Sequence, residues 1–240
     1  RPALAVNTVA PERATLALRL AANGSVAAWQ EASIGAESNG LRLTDVRVNV
    51  GDVVRKGQLL ATFADDTVQA DGAQARASLM DARSIAAEAA ANDERARTLH
   101  ATGALSAQQI QQYATAGQTA QARVEAAQAQ LRVQQLRLAH TRVLAPDDGV
   151  ISARTATVGA VLGAGTELFR MVRKGRLEWR AEVTSSDLPR IRAGAGARVT
   201  AASGAEVEGK VRMVAPTVDP ATRNALVYVD LPAHAERSEE

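Results

Sequence analysis

The chain contains no cysteine, and only 2% of its 240 residues are aromatic. The absence of cysteine excludes disulfides, thiol chemistry and cysteine-ligated metal sites. No apolar run approaches the roughly 20 residues that a membrane-spanning helix requires. The net charge is +2 without a basic cluster. Because nucleic-acid binding relies on concentrated positive charge and on aromatic stacking, this composition argues against a nucleic-acid partner.

Residue patterns typical of enzymes and metal sites are also missing. The GAGT of residues 163–166 lacks the lysine and helix start of a phosphate-binding loop. Asp147 and Asp148 precede Gly149 and are explained as turn residues. The histidines and methionines are scattered without metal-ligand spacing: His100, His140, His234, Met80, Met171 and Met213. We therefore expect no catalysis, no cofactor and no metal site.

One short pattern occurs twice in the chain. Residues 50–63 read VGDVVRKGQLLATF, and residues 158–171 read VGAVLGAGTELFRM. At the offset 158 − 50 = 108, the matched pairs are Val50 with Val158, Gly51 with Gly159, Val53 with Val161, Val54 with Leu162, Gly57 with Gly165, Leu60 with Leu168 and Phe63 with Met171. A β unit of this size buries too little apolar surface to be stable alone. We therefore predict that both segments form one compact body, so that Val53 and Val161 do not lie in separate cores.

A long helical region separates the two copies of the pattern. From Asp66 to about Thr141 there is no proline, and alanine, glutamine and arginine dominate. Residues spaced alternately by three and four predict two coiled-coil seams. The first seam comprises Val68, Gly72, Ala75, Leu79, Ala82, Ala86, Ala89, Asp93 and Ala96, and the second comprises Ile110, Tyr113, Gly117, Ala120, Val124, Ala127, Leu131, Gln134 and Leu138. Ser106 followed by Gln109 is a capping box. These features predict an antiparallel helical hairpin with its tip near residues 102–105.

The order of these parts resembles a known family. GLRLTDVRVNVGDVVRKGQLLATF and APDDGVISARTATVGAVLGAGTELFRM look like the two halves of a biotinyl/lipoyl domain. The intervening hairpin, followed by LAHTRVLAPDDGVI, resembles the periplasmic adaptor proteins (membrane fusion proteins) of bacterial tripartite efflux pumps, most closely the resistance–nodulation–division (RND) subgroup. VTSSDLPRIRAGAGARV and GKVRMVAPTVDPATRNALVYVDL look like the β-barrel domain of these adaptors.

The resemblance implies an α+β, elongated multidomain chain in which the hairpin is inserted into a split lipoyl-like β-sandwich. We assign residues 32–65 and 142–174 to the lipoyl-like domain, and 66–141 to the hairpin. Residues 12–31 and 175–240 are assigned to the β-barrel domain, incomplete at its C-terminus, and 1–11 to the N-terminal part of a membrane-proximal domain. Six glycines are expected to shape the turns of the lipoyl-like halves: Gly40, Gly51, Gly57, Gly149, Gly159 and Gly165.

The family also carries an Arg–Leu–Ser pattern at the hairpin tip, where it meets a TolC-like outer-membrane channel. Arg95, Leu99 and Ser106 match this pattern, so the resemblance implies that they dock on such a channel. Without the resemblance, each residue has a simpler explanation. Ser106 is then an N-cap, Leu99 a seam residue and Arg95 a solvated charge.

The resemblance further implies an inner-membrane RND transporter as partner, a hexameric ring of adaptors, and a periplasmic location associated with the inner membrane. An adaptor of an ABC-type exporter or secretion system is the main alternative. A purely structural coiled-coil protein is a second alternative. A biotin or lipoyl carrier is a third, but carriers present a lysine in the turn joining their halves. The chain's only lysines lie elsewhere: Lys56, Lys174 and Lys210.

Overall fold

A computed structural model describes residues 10, 11, 19–100, 105–201 and 203–232. The chain divides into two compact units, one of residues 28–176 and one of residues 1–27 together with 177–240. In chain order the elements are β1 (Asn23–Ala28), β2 (Glu31–Gly35), β3 (Leu41–Val46), β4 (Val53–Val54), β5 (Leu59–Phe63), α1 (Asp66–His100), α2 (Ala107–Ala139), β6 (Arg142–Leu144), β7 (Gly149–Arg154), β8 (Val161–Leu162), β9 (Glu167–Arg173), β10 (Leu177–Thr184), a 3-10 helix (Leu188–Arg190), β11 (Gly196–Thr200), β12 (Glu206–Val218) and β13 (Asn224–Asp230).

The first unit contains two four-stranded sheets whose strands come from both copies of the repeated pattern. One sheet has the order β2-β9-β7-β4, and the other has the order β6-β5-β3-β8. Adding 108 to the residue numbers converts β3, β4 and β5 into β7, β8 and β9. With β6 in the place of β2, the same operation converts one sheet into the other. The two halves are therefore related by an internal twofold pseudosymmetry, and each sheet needs both halves.

Both sheets contribute to one hydrophobic core. Leu60 and Leu168 are fully buried at equivalent positions of the two halves, as are Phe63 and Met171. The core also takes residues from β2, β3, β4, β6 and β7: Ile34, Leu43, Val54, Val143 and Ile151. The prediction that the repeated segments form a single body is confirmed.

Val53 and Val161 are not part of that core. Their exposed fractions are 76% and 66%, and Val50 and Val158 are also exposed. In a two-residue strand adjacent side chains point to opposite faces, so only the next residue, such as Val54, turns inward. Val53 nevertheless pairs with Val150 and Val161 with Arg42, so each strand is held by the opposite half.

The two helices form the predicted hairpin and pack against each other. Every residue of the first predicted seam is buried or half-buried, from Val68 to Ala96, and the second seam follows the prediction at eight of nine positions. Tyr113 is the exception, because it is exposed while the neighbouring Ala114 is half-buried. The seam positions on either side, Ile110 and Gly117, are half-buried, so the seam steps here by four residues and then three instead of three and then four. Residues 102–104 of the predicted tip lie outside the described residues.

The second unit contains a five-stranded sheet with the order β1-β10-β13-β12-β11. Its core is built from small aliphatic side chains: Ala181, Val183, Val211, Val227 and Val229. β12 carries two register irregularities against β13. Such bulges bend a sheet. The carboxylate of Glu178 is buried and forms ion pairs with Arg180 and Arg212. The predicted α+β class, with a helical hairpin inserted between β-strands, is confirmed.

Candidate functional site

The end of the hairpin carries the three residues of the candidate docking pattern. Ser106 lies immediately before α2 with φ −73° and ψ 153°, and its Oγ accepts a hydrogen bond from the Gln109 amide at 3.3 Å. Gln109 Oε1 in turn accepts from the Ser106 amide at 3.1 Å. The predicted capping box is therefore confirmed, and it satisfies two amides that a helix start leaves unpaired. Ser106 is exposed, but its hydroxyl is engaged in the cap.

Arg95 and Leu99 belong to the last turns of α1. Because they are four residues apart, they share one face of the helix. Arg95 is exposed, and its Nε donates to the Ala91 carbonyl oxygen at 3.3 Å while Nη2 donates to Asn92 Oδ1. These bonds use two of the five N–H groups of the guanidinium and align it along the helix. Leu99 is 45% exposed, more than an interior seam position would be.

This arrangement offers a restrained cation next to an exposed apolar side chain on one helix. The remaining guanidinium N–H groups suit carboxylate or carbonyl oxygens at the end of another helix. Ser106 belongs to the other helix of the hairpin, and its placement beside Arg95 and Leu99 stays a prediction.

The opposite end of the hairpin is anchored to the sheets by side chains that the sequence did not single out. Ser38 Oγ donates to the carbonyl oxygen of His140 at 2.9 Å, and His140 Nε2 lies 3.1 Å from Glu37 Oε2. Thr141 is buried, and its Oγ1 donates to the Leu138 carbonyl at 2.7 Å. These bonds pair carbonyls at the C-terminal end of α2 that would otherwise have no partner. Only the Thr141 bond had a local signal in the sequence, since Thr141 follows the last predicted seam position, Leu138, by three residues.

An ion pair fixes the start of the second half of the sandwich. Arg173 donates to Asp147 Oδ2 from Nε at 2.9 Å and from Nη2 at 2.6 Å, and the Asp148 amide donates to Asp147 Oδ1. The hydrogen bonds from Arg173 and then from Asp148 favour the ionised carboxylate and hold the pKa of Asp147 below its ordinary value. Asp148 Oδ1 accepts from the Lys56 amide at 2.8 Å, which joins the two halves.

The predicted turn glycines divide into two kinds. Five have φ between +70° and +95°, the region that favours glycine: Gly40, Gly51, Gly57, Gly159 and Gly165. Gly149 differs, because it lies in β7 and not in a turn. A Cβ at Gly149 would lie 2.2 Å from the Val172 carbonyl oxygen, so close packing against β9 requires glycine there. Its assignment as a turn residue was wrong.

Known proteins match this chain in both sequence and fold. Residues 179–237 match the family model of the CusB-like beta-barrel domain. The chain is 33% identical over 214 residues to the nickel-cobalt-cadmium resistance protein NccB of Alcaligenes xylosoxydans xylosoxydans, covering 88% of this chain and 53% of NccB. It is 31% identical over 238 residues to the pyoverdine export membrane fusion protein PvdR of Pseudomonas putida, covering 88% of this chain and 58% of PvdR. The chain belongs to the membrane fusion proteins.

The fold of this membrane fusion protein also matches a solved member. The membrane fusion protein Spr0693 from Streptococcus pneumoniae R6 superposes with a TM-score of 0.70 at 19% sequence identity, covering 90% of this chain and 93% of that one. This chain spans about half the length of the curated relatives named above. Within the described residues of this membrane fusion protein, no helix is both long and apolar enough to cross a bilayer, and no group of three or more His, Asp or Glu side chains could hold a metal ion.

Proposed function

We propose that this membrane fusion protein is a periplasmic adaptor that links an inner-membrane transporter of the RND type to a TolC-like outer-membrane channel. The observation that carries the proposal is the insertion of α1 and α2 between two interlocked halves of one β body, in a chain 31% identical to an export membrane fusion protein. The adaptor role is mechanical and involves no catalysis.

The inserted hairpin suits a bridging role for a physical reason. A helix of 35 residues rises by about 50 Å at ~1.5 Å per residue, so the hairpin can carry its end far from its base. The base is fixed by Ser38, Glu37 and Thr141, and the seam between the helices is packed along its length. A rod held rigidly at one end can transmit motion of the transporter to a channel at the other.

The exposed end of the hairpin is then the channel contact, with Arg95, Leu99 and Ser106 as the docking residues. The lipoyl-like body would pack into a ring of identical copies. Drugs or other small toxic compounds are the proposed cargo. Two relatives with 33% identity, NccB and the nickel and cobalt resistance protein CnrB of Cupriavidus metallidurans, favour divalent cations as a second cargo class.

An adaptor of an ABC-type exporter is the second candidate function. The chain is 25% identical over 215 residues to the macrolide export protein MacA of Escherichia coli O157:H7, which is less than its 33% identity to the two metal-resistance proteins, so the RND candidate comes first. The two candidates share the channel contact and differ only in the transporter.

The proposal is tested by deleting the gene, resupplying variants and measuring resistance to drugs and to nickel and cobalt. Arg95→Asp should abolish the resistance that the wild-type gene restores, while protein level and helix content stay unchanged. Arg154→Asp is the matched control, since Arg154 is exposed, forms no ion pair with any described residue and lies in β7 away from the hairpin. Full resistance with Arg95→Asp would remove the docking assignment. Unchanged resistance after gene deletion would overturn the adaptor role.

A further inference from the structure

Three arginines line a groove that runs between the two helices of the hairpin. Arg76 and Arg83 come from α1 and Arg132 from α2, and the groove is also lined by Leu79 and Leu131 of the seam. We call these three arginines the arginine flank. All three are exposed, and none forms an ion pair with any residue in the described part of the chain.

No acidic side chain lines the groove beside the arginine flank. The groove is lined otherwise by Met80, Gln128 and Gln135, none of which is acidic. Glu125 lies one turn from Gln128 and is exposed, yet it forms no ion pair within the described residues. Three fixed positive charges around an apolar floor therefore have no ion-pair partner among the residues that the structure describes.

The opposite side of α1 carries the complementary charge. Asp81 and Glu88 are exposed, and neither forms an ion pair with a described residue. We call these two residues the acidic flank. Asp81 follows Arg76 by five residues, and Glu88 follows Arg83 by five. Five residues at 3.6 per turn turn the helix by about 140°, so the two flanks face in different directions and cannot neutralise each other.

The two flanks also share one spacing. Arg76 and Arg83 are seven residues apart, as are Asp81 and Glu88, which corresponds to roughly 10.5 Å along the helix. Arg83 and Asp81 differ in height by two residues, or about 3 Å, which an arginine side chain can span. A second hairpin placed beside the first, parallel and at nearly the same height, therefore brings its acidic flank against the arginine flank.

We propose that the arginine flank of one copy of this chain docks against the acidic flank of the next copy. The contact is head-to-tail, because two different surfaces meet, and such contacts generate rings or open arrays. The inference rests on the proposed self-association of the adaptor and assigns a surface to it. Exposed ion pairs contribute only about 0.2–1 kcal/mol each, so the charges set register and orientation more than affinity.

The absence of cysteine allows a direct test by disulfide crosslinking. Met80→Cys marks the arginine flank, and Ile85→Cys marks the acidic flank, because both side chains are exposed and lie on the respective sides of α1. The two variants of the full chain are mixed and oxidised, and the mixed dimer is quantified. Ser84→Cys is the control, since this exposed residue lies between the two flanks on the outer face.

The mixed dimer of the Met80→Cys and Ile85→Cys proteins should exceed by several-fold the dimer that the Ser84→Cys protein forms with either. Adding Arg76→Glu and Arg83→Glu to the Met80→Cys protein should lower the yield about fivefold, as expected for two exposed ion pairs. Adding Asp81→Arg and Glu88→Arg to the Ile85→Cys partner should then restore it. Failure of the restored pair to crosslink, or a yield equal to that of the Ser84→Cys control, would overturn the proposal.

A preference of the Met80→Cys protein for itself would also overturn it, because that result indicates a face-to-face contact. These outcomes are independent of the channel contact. Loss of resistance with Arg95→Asp, combined with no flank-specific crosslink, would support the adaptor role and overturn only the contact between the arginine flank and the acidic flank.

Discussion

The amide of Gly51 donates a hydrogen bond to the carbonyl oxygen of Ile151 at 2.9 Å. Its equivalent after a shift of 108 positions is the bond from Gly159 to Leu43 at 2.8 Å. Each turn is therefore anchored on a strand of the other half. The helical hairpin separates the halves in sequence by about 75 residues, yet neither half can complete its turns or sheets alone.

The turn glycines should be sensitive to substitution because their backbone adopts positive φ. Gly165 has φ +85°, and no atom lies within 4 Å of the position that a Cβ would take. Gly165→Ala should therefore lower the free energy of unfolding by about 1–2 kcal/mol through backbone strain alone, and Gly165→Val by more, because a β-branched residue tolerates positive φ poorly. Chemical denaturation measures the effect.

Gly163→Ala is the matched control for this prediction. Gly163 lies two residues away without a positive φ, and its added Cβ would meet only Asn39 Oδ1 at an ordinary 3.6 Å. Equal stability of the Gly165→Ala and Gly163→Ala proteins would show that backbone strain does not govern this turn.

The seam of the hairpin contains one polar position whose removal should stabilise the protein. Gln134 is buried, and its Oε1 has no hydrogen-bond partner among the described residues. An unpaired buried acceptor costs about 1–3 kcal/mol. Gln134→Leu should therefore raise the free energy of unfolding by roughly 1 kcal/mol. Gln135→Leu, at the adjacent exposed position, should change it little, and thermal unfolding of both variants distinguishes burial from helix propensity.

The helical seams and the repeated β pattern show how much of this fold can be predicted from the sequence. The alternating spacing of three and four found the buried face of α1 completely, because packing along a coiled coil repeats locally. It placed Tyr113 wrongly, because a step of four from Ile110 to Ala114 keeps the same helix face as well as a step of three does, and the spacing pattern alone does not distinguish the two. Sequence equivalence identified Val53 and Val161 as a pair, but strand direction decides which member of each two-residue strand faces inward, and that depends on partners over 90 residues away.

The docking and anchoring residues differ in the same way. The capping box at Ser106 is local and was predictable from four residues. The contacts of Ser38 with His140 and of Lys56 with Asp148 join positions 102 and 92 residues apart, so no local pattern announces them. The sequence identified Gly149 as structurally important but assigned it to a turn. Glycine is required there because β9 packs closely against it, and only the pairing of the strands shows this.

The ion pair of Asp147 with Arg173 should make stability depend on acid pH. Because the hydrogen bonds from Arg173 and Asp148 lower the folded-state pKa of Asp147 from its ordinary 3.8, their contribution is complete above that value. It is lost as the pH falls through the lowered pKa. Asp147→Asn should therefore lower the melting temperature at neutral pH, and its difference from wild type should shrink in acid.

Arg173→Gln provides the control for this dependence. If the pair acts as a unit, the double variant with Asp147→Asn should be little less stable than either single variant. A melting-temperature difference between wild type and Asp147→Asn that persists unchanged well below pH 3.8 would contradict the assignment.

The two possible roles of Ser106 can be separated by two substitutions. Ser106→Ala removes the capping hydroxyl and should lower the free energy of unfolding by about 1 kcal/mol, whereas Ser106→Asp keeps an oxygen that can cap and should preserve stability. Both variants remove the hydroxyl from the end of the hairpin. If Ser106 docks on a channel together with Arg95 and Leu99, both variants should weaken resistance, because both lack the docking hydroxyl. Ser106→Asp also places a negative charge at the contact. Full resistance with Ser106→Asp would reduce Ser106 to a cap and leave Arg95 and Leu99 as the docking residues.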